Sequence, residues 1–440
     1  MAFEKYFEEA KNAGIQEYEL YISKRYRFSF ELFRGEISGY TIADSGTTSA
    51  RGICEGKMGY AFTEKVDESS PKFLAQQVKE NSHFISSTDL PVIFKGSEHY
   101  EKDEVFDASV QETDETTKIN ITRELEKRLK EKEFVTDVEI SYSEAIEETT
   151  LVNSHSLELS SKSNYVVIYA YVIAKKGEEI KTGGDMYFNT NLKELNIDEF
   201  VEKAYKNAID QFGGAPCASD KYPCVLDRDV AASLLSFYIR SIEAEEVQKK
   251  SSVLADKLEQ LVASPCLTVK ESPLTKNCFF RYFDDEGVAV KNKTLIDKGV
   301  LKTYLYNLTT AAKDGVESTG NGYRAGATGS ISTSTVNVQV EPGSKSLDEL
   351  FSTVGEGIYI TEVEGLHSGM NAQSGNFSLQ AKGYLIKDGK RGNPVNLITI
   401  AGNLFDMFKQ IKEVGSDVKL MPSSIACPSL YIESIAVSGK

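Results

Sequence analysis

The chain has 440 residues, room for two to three domains at about 150 residues each. Its 40% hydrophobic and 26% charged residues, with only 10 Pro and no Trp, are those of a globular protein and exclude a disordered or collagenous one. Fifty Lys and Arg against 66 Asp and Glu leave a net charge of −16, which repels phosphate backbones and argues against direct nucleic-acid binding.

Phe3, Tyr6, Phe7 and Ala10 fall on one face at helical spacing, and Asn12-Ala13-Gly14 supplies a stop. This acidic, amphipathic start lacks the basic-then-apolar order of a signal peptide, and no later run approaches the ~18 apolar residues a membrane helix needs. A cytoplasmic protein with no membrane partner is expected. Six scattered cysteines without close pairing agree with reduced thiols.

From 17 to about 63 the pattern alternates, as in Tyr18-Leu20-Ile22 and Phe28-Phe30-Leu32, with turns expected at Arg34-Gly35, Asp44-Ser45-Gly46 and Glu55-Gly56-Lys57. These are antiparallel strands. Helical periodicity returns over 71–84 and 115–131, with loop between 89 and 110. A second strand-rich block covers 135–189, and 197–212 reads as a helix. Gly213-Gly214-Ala215-Pro216 breaks both periodicities and sets a domain boundary, giving an N-terminal α+β domain over 1–215 and a mainly β domain over 216–440.

The second domain opens with the strand Cys224-Val225-Leu226 and an Asp227 cap. A long helix then carries the stripe Val230, Leu234, Leu235, Tyr238, Ile239, Ile242 to about Val247. Beyond it the chain is mostly β. Hairpins are expected over 294–304 and 383–390, where Asp, Lys and Gly tolerate positive φ, and short helices over 346–351 and 403–414.

Few residues announce chemistry. His-Glu-x-x-His is absent, and none of the four histidines has a second within five residues. His367 stands out because it lies in the glycine-rich run Glu364-Gly365-Leu366-His367-Ser368-Gly369-Met370-Asn371. Gly52, Gly56 and Gly59 lack dinucleotide spacing and read as turn glycines. Taken alone, Cys427 reads as a buried thiol. The stretch Ser318-Thr319-Gly320-Asn321-Gly322-Tyr323-Arg324 is rich in small polar residues that suit peptide or anion contact, or a plain turn. Asp284-Asp285-Glu286-Gly287 reads as a solvated hairpin turn, since one acidic turn lacks the 6 to 8 oxygens typical of calcium sites.

As an ordered set, Phe283-Asp284-Asp285-Glu286-Gly287, Leu295-Ile296-Asp297-Lys298-Gly299-Val300, Ser318-Thr319-Gly320-Asn321-Gly322, Gly375-Asn376-Phe377-Ser378, Gly383-Tyr384-Leu385-Ile386, Ile400-Ala401-Gly402-Asn403 and Val414-Gly415-Ser416-Asp417 resembles the TldD/PmbA family. The resemblance implies an α+β fold and proteolysis of peptides by two related subunits. One subunit type, TldD, carries His-Glu-x-x-x-His on the helix opening the C-terminal domain, with a later Cys as a further metal ligand. Aligned on Leu234-Leu235, this chain has Ser236 and Ser241 in place of the histidines, Phe237 in place of the glutamate, and Cys427 at the Cys position. One thiolate cannot supply the three protein ligands of a catalytic zinc site. The chain therefore resembles the PmbA (TldE) branch, expected to hold no zinc itself and to pair with a metal-bearing TldD-like subunit or with itself. Ser318, Thr319, Gly320, Asn321, Arg324 and His367 are the candidate contacts for a peptide or unfolded-protein substrate. The alternative is a homodimeric peptide-binding or regulatory protein of the gyrase-modulator type.

Overall fold

The structure is a computed structural model and describes residues 3–86, 89–326 and 330–440. Helix α1 (Phe3–Asn12) leads into three long antiparallel strands, β1 (Glu17–Phe33), β2 (Glu36–Cys54) and β3 (Lys57–Thr63). Arg34-Gly35 and Glu55-Gly56 turn the chain with positive φ at both residues, the backbone that tight two-residue hairpins require. Asp44-Ser45-Gly46 is not a turn. It continues β2, paired residue for residue with Tyr26, Arg25 and Lys24, because the long β1 partner outweighs the local turn preference.

Helices α2 (Ser70–Ser82), α3 (Ser109–Glu112) and α4 (Glu115–Lys130) precede β4 (Val135–Asn153), β5 (Glu158–Lys176) and β6 (Glu179–Asn189), followed by α5 (Ile197–Ile209). The six strands form one antiparallel sheet in the order β3-β2-β1-β4-β5-β6. Period-two alternation sorts its faces. Even-numbered residues of β1 point toward the helices: Leu20, with its cross-strand partners Ala50 and Val152, packs with Tyr6 of α1 and Leu74 and Val78 of α2. Further along, Phe28, Phe30 and Leu32 meet Leu125 and Leu129 of α4 and Phe200 of α5. On the opposite face Tyr21, its partner Leu151 and that residue's partner Leu159 pack against Phe280, Tyr282 and Phe283 of the second half.

Residues 213–219 lead to β7 (Asp220–Leu226) and α6 (Arg228–Arg240), capped by the Asp227 carboxylate on the Asp229 amide. The helix stops earlier than its apolar stripe suggests. Ala244 N–H bonds Leu305 O and Leu305 N–H bonds Ile242 O, both at 2.9 Å, so tertiary pairing takes over from the helical ladder. A separate turn of helix, α7 (Ala244–Gln248), follows. Strand β7 lies in a second six-stranded sheet, parallel to Gly357–Glu364 and antiparallel to Leu430–Ser438. Asn376–Lys387 and Lys390–Asn403 continue it, and Thr399–Ala401 also pair with Ala436–Ser438, so five of its strands close on themselves. Stretch 403–414 is only half helical: after Leu404–Lys409 the chain straightens into Ile411–Val414 and joins this sheet beside Leu430–Ser438. Helix α6 is buried against the sheet through Leu234, Leu235 and Tyr238, the last stacked on Phe408 at 4.6 Å. Both halves are therefore α+β.

Candidate functional site

The residues aligned with the metal motif sit on and just past α6. Ser236 Oγ donates back to Ser233 O at 2.6 Å, and Phe237 is partly buried against the core. Ser241 is buried at the helix end, its carbonyl accepting from Ser252 Oγ. Cys427 is buried next to Ile425–Ala426, a strand in contact with α6. Burial, with the Asp417 and Asp227 carboxylates adding to it, pushes the Cys427 thiol up and keeps it protonated, whereas metals bind the thiolate. Two hydroxyls, a phenyl ring and a neutral thiol do not fit a catalytic zinc ion, which takes three nitrogen, sulfur or carboxylate ligands. Among the described residues no group of three or more His, Cys, Asp or Glu side chains is arranged to hold a metal.

The stretch 318–324 behaves differently from a loop that offers its backbone outward. Ser318 Oγ donates to Tyr306 O at 3.0 Å, Thr319 Oγ1 to Asn321 Oδ1 at 2.7 Å, and Gly320 takes positive φ. Asn321 is fully buried, its amide donating to both Glu271 oxygens (2.9 and 3.0 Å) and accepting from Lys293 Nζ at 3.0 Å. Gly322 and Arg324 donate their backbone N–H groups to Asp284 Oδ2 and Asp285 Oδ2 at 2.9 and 2.8 Å. The carboxylates 284–286, expected in a solvated turn, are thus interior: none exceeds 4% exposure. Their partners explain the reversal.

Glu286 takes Leu308 N–H at 2.7 Å on one oxygen and Arg51 Nη1 at 3.3 Å on the other. Arg51 also clasps Glu19, its cross-strand neighbour, through Nε at 2.7 Å and Nη2 at 3.3 Å. The Arg324 guanidinium lies 3.5 Å from Glu19 and stacks over Tyr21, whose hydroxyl donates to Asp285 Oδ1 at 3.0 Å. Burial, reinforced by the Glu286 charge, holds the Asp284 carboxyl well above its ordinary range. Glu286 is also raised by burial, against the opposing pull of Arg51. This buried ionic cluster joins the first sheet to the second half of the chain.

His367 is exposed on the short helical turn Leu366–Gly369, so it and Asn321 occupy different settings, one outward and one interior. Two residues before that turn, Glu364 lines a cavity of about 420 Å3 together with Glu362, Gln380, Lys382, Asn396 and Leu397 among others. Leu397 is 82% exposed and adopts positive φ, unusual for a branched residue. Nothing in the periodicity marks this cavity, because irregular pairing of Asn376–Lys387 with both neighbouring strands creates it.

Family profiles match this chain in three consecutive parts: PmbA/TldA metallopeptidase domain 1 over residues 18–82, the central domain over 109–212 and the C-terminal domain over 219–439. A metalloprotease PmbA homolog of Buchnera aphidicola from Acyrthosiphon pisum is 30% identical over 280 residues, 63% of this chain and 60% of that protein. Metalloprotease PmbA of Escherichia coli O157:H7 is 27% identical over 290 residues, 66% of this chain and 62% of the relative. The matched part thus spans about 60% of the length of these curated relatives. A Thermotoga maritima structure described as a candidate modulator of a DNA gyrase superposes with a TM-score of 0.91 at 30% identity, covering 99% of both chains. TldE from Thermococcus kodakarensis, 22% identical with full coverage and a TM-score of 0.92, shares the fold.

Proposed function

Because the chain belongs to the PmbA/TldD metallopeptidase family, we propose that it acts as the PmbA (TldE)-type subunit of a two-subunit peptidase. In this reading a TldD-like partner supplies the metal and this chain helps hold the peptide. The observation that carries it is the chemistry at the matched positions: Ser236 is tied to its own helix, Phe237 offers no base, Ser241 caps the helix end and Cys427 is held as a neutral thiol. A chain so built lacks the means to activate water on a metal. The first contact for the peptide is the cavity lined by Glu362, Glu364 and exposed Leu397. There an extended backbone meets both carboxylates and amides, which suits binding with little sequence preference.

The proposal is tested by mixing this chain with a family subunit that carries His-Glu-x-x-x-His and following an unfolded casein substrate. A stable one-to-one complex by light scattering, with hydrolysis beyond that of either subunit alone, supports it. Persistence of two separate species with no gain in hydrolysis removes it, and a self-associated dimer that ignores the partner favours the regulatory alternative.

A further inference from the structure

The helix-facing side of the first sheet is covered at both ends, by α1 and α2 and by α4 and α5, and between them lies a cavity of about 640 Å3. Its floor is the row Tyr26, Phe28, Glu144 and Ile146, cross-strand neighbours on β1 and β4. Lys118, 3% exposed, reaches in from α4, bonds Glu144 Oε1 at 2.8 Å and lies 5.4 Å from the Phe28 ring centre. Among the described residues that carboxylate is its one charged partner, leaving ammonium N–H groups for another acceptor. On the wall, Gln111 has both amide atoms buried and neither has a hydrogen-bond partner. A buried carboxamide is costly to leave unbonded, so the Gln111 amide offers this cavity one donor and one acceptor for a partner from outside the chain.

We propose that this cavity binds the amino-terminal end of a short peptide. The orphan carboxamide needs a partner that both donates and accepts, which a main-chain amide does in one plane. The spare Lys118 donors suit a peptide carbonyl, and Tyr26 and Phe28 offer an apolar floor to a small side chain. Charge selects the end of the peptide: the lining holds three carboxylates, Asp114 capping α4, Glu115 accepting from the Tyr40 hydroxyl and Glu144 accepting from Lys118 and Tyr142, against the one ammonium of Lys118, so the cavity favours a cation. Its volume holds several residues. The cavity lies in the first sheet, separate from α6, so the inference stands independently of the proposed pairing.

The test is calorimetric titration of the full chain, without partner, using trialanine amide with a free amino terminus and its N-acetylated form. The free peptide should bind, the acetylated one about tenfold more weakly or worse, and Gln111→Leu should abolish binding while leaving the melting temperature equal or higher. Thr113→Phe, which fills the cavity from the loop before α4, should abolish binding too and covers the case in which the leucine variant misfolds. No heat at millimolar peptide, equal affinity for both peptides, or unchanged binding in both variants overturns the inference. Failure here leaves the two-subunit reading untouched, since that is read by complex formation.

Discussion

Burial pushes the Glu243 carboxyl up to about 8; nearby Glu245 and Glu246 add to the shift and Arg240 opposes it. Folding therefore favours the protonated acid, so its contribution to stability is complete below its ordinary value of 4.5 and is lost as pH rises through about 8. Its side chain makes no cap hydrogen bond to α7. Glu243→Gln should thus flatten the pH dependence and stabilise the chain by about 3 kcal/mol at pH 8, read by urea unfolding between pH 5 and 9. An unchanged slope would contradict it. Arg51 is the opposite case, a charge whose removal leaves Glu286 buried without its cation and leaves Glu19 to the Arg324 guanidinium at 3.5 Å. Arg51→Met should cost about 3–5 kcal/mol, with part recovered in the double variant carrying Glu19→Leu. If Arg51→Met unfolds at the wild-type urea concentration, the cluster does not hold the two halves together. None of this was legible locally: Asp284-Asp285-Glu286 reads as a wet turn because its partner Arg51 lies 235 residues away in sequence.

Hairpins were the elements best written in the sequence, since the backbone they need is a property of one or two residues. Lys298-Gly299 and Asp388-Gly389 both adopt the positive φ that their composition foretold. The same turn chemistry carries different packing, which only the tertiary structure reveals. A Cβ on Gly35 would meet nothing within 4 Å, whereas one on Gly299 would lie 2.3 Å from Ala263 O and 2.8 Å from Ser264 O. Gly35→Ala should cost about 1 kcal/mol and Gly299→Ala at least twice that by denaturant unfolding. Equal costs would mean that the segment bearing Ala263 yields freely. Helix ends were less legible. The stripe through Ile242 continues past Arg240, but pairing with Leu305 ends α6, and the strand partner Leu430–Ser438 converts the end of 403–414 from helix to sheet. Such outcomes depend on a distant segment outbidding local preference.

At the scale of the molecule, the ordered run of motifs from Phe283 to Asp417 carried the family, and the three consecutive family domains span the same chain. The interior role of 318–324 stayed hidden because small polar residues serve an exposed loop and a buried turn equally well. At a net charge of −16 the molecule repels phosphate backbones. At the positions matched to the metal motif, the donors of this chain do not suit a catalytic metal. Elemental analysis of the purified chain, after exposure to equimolar zinc and removal of loosely held ions, tests this most directly. Far less than one zinc per chain is expected, with no change when Cys427 is replaced by Ser; one tightly held zinc per chain, lost in that variant, would overturn the reading of these positions.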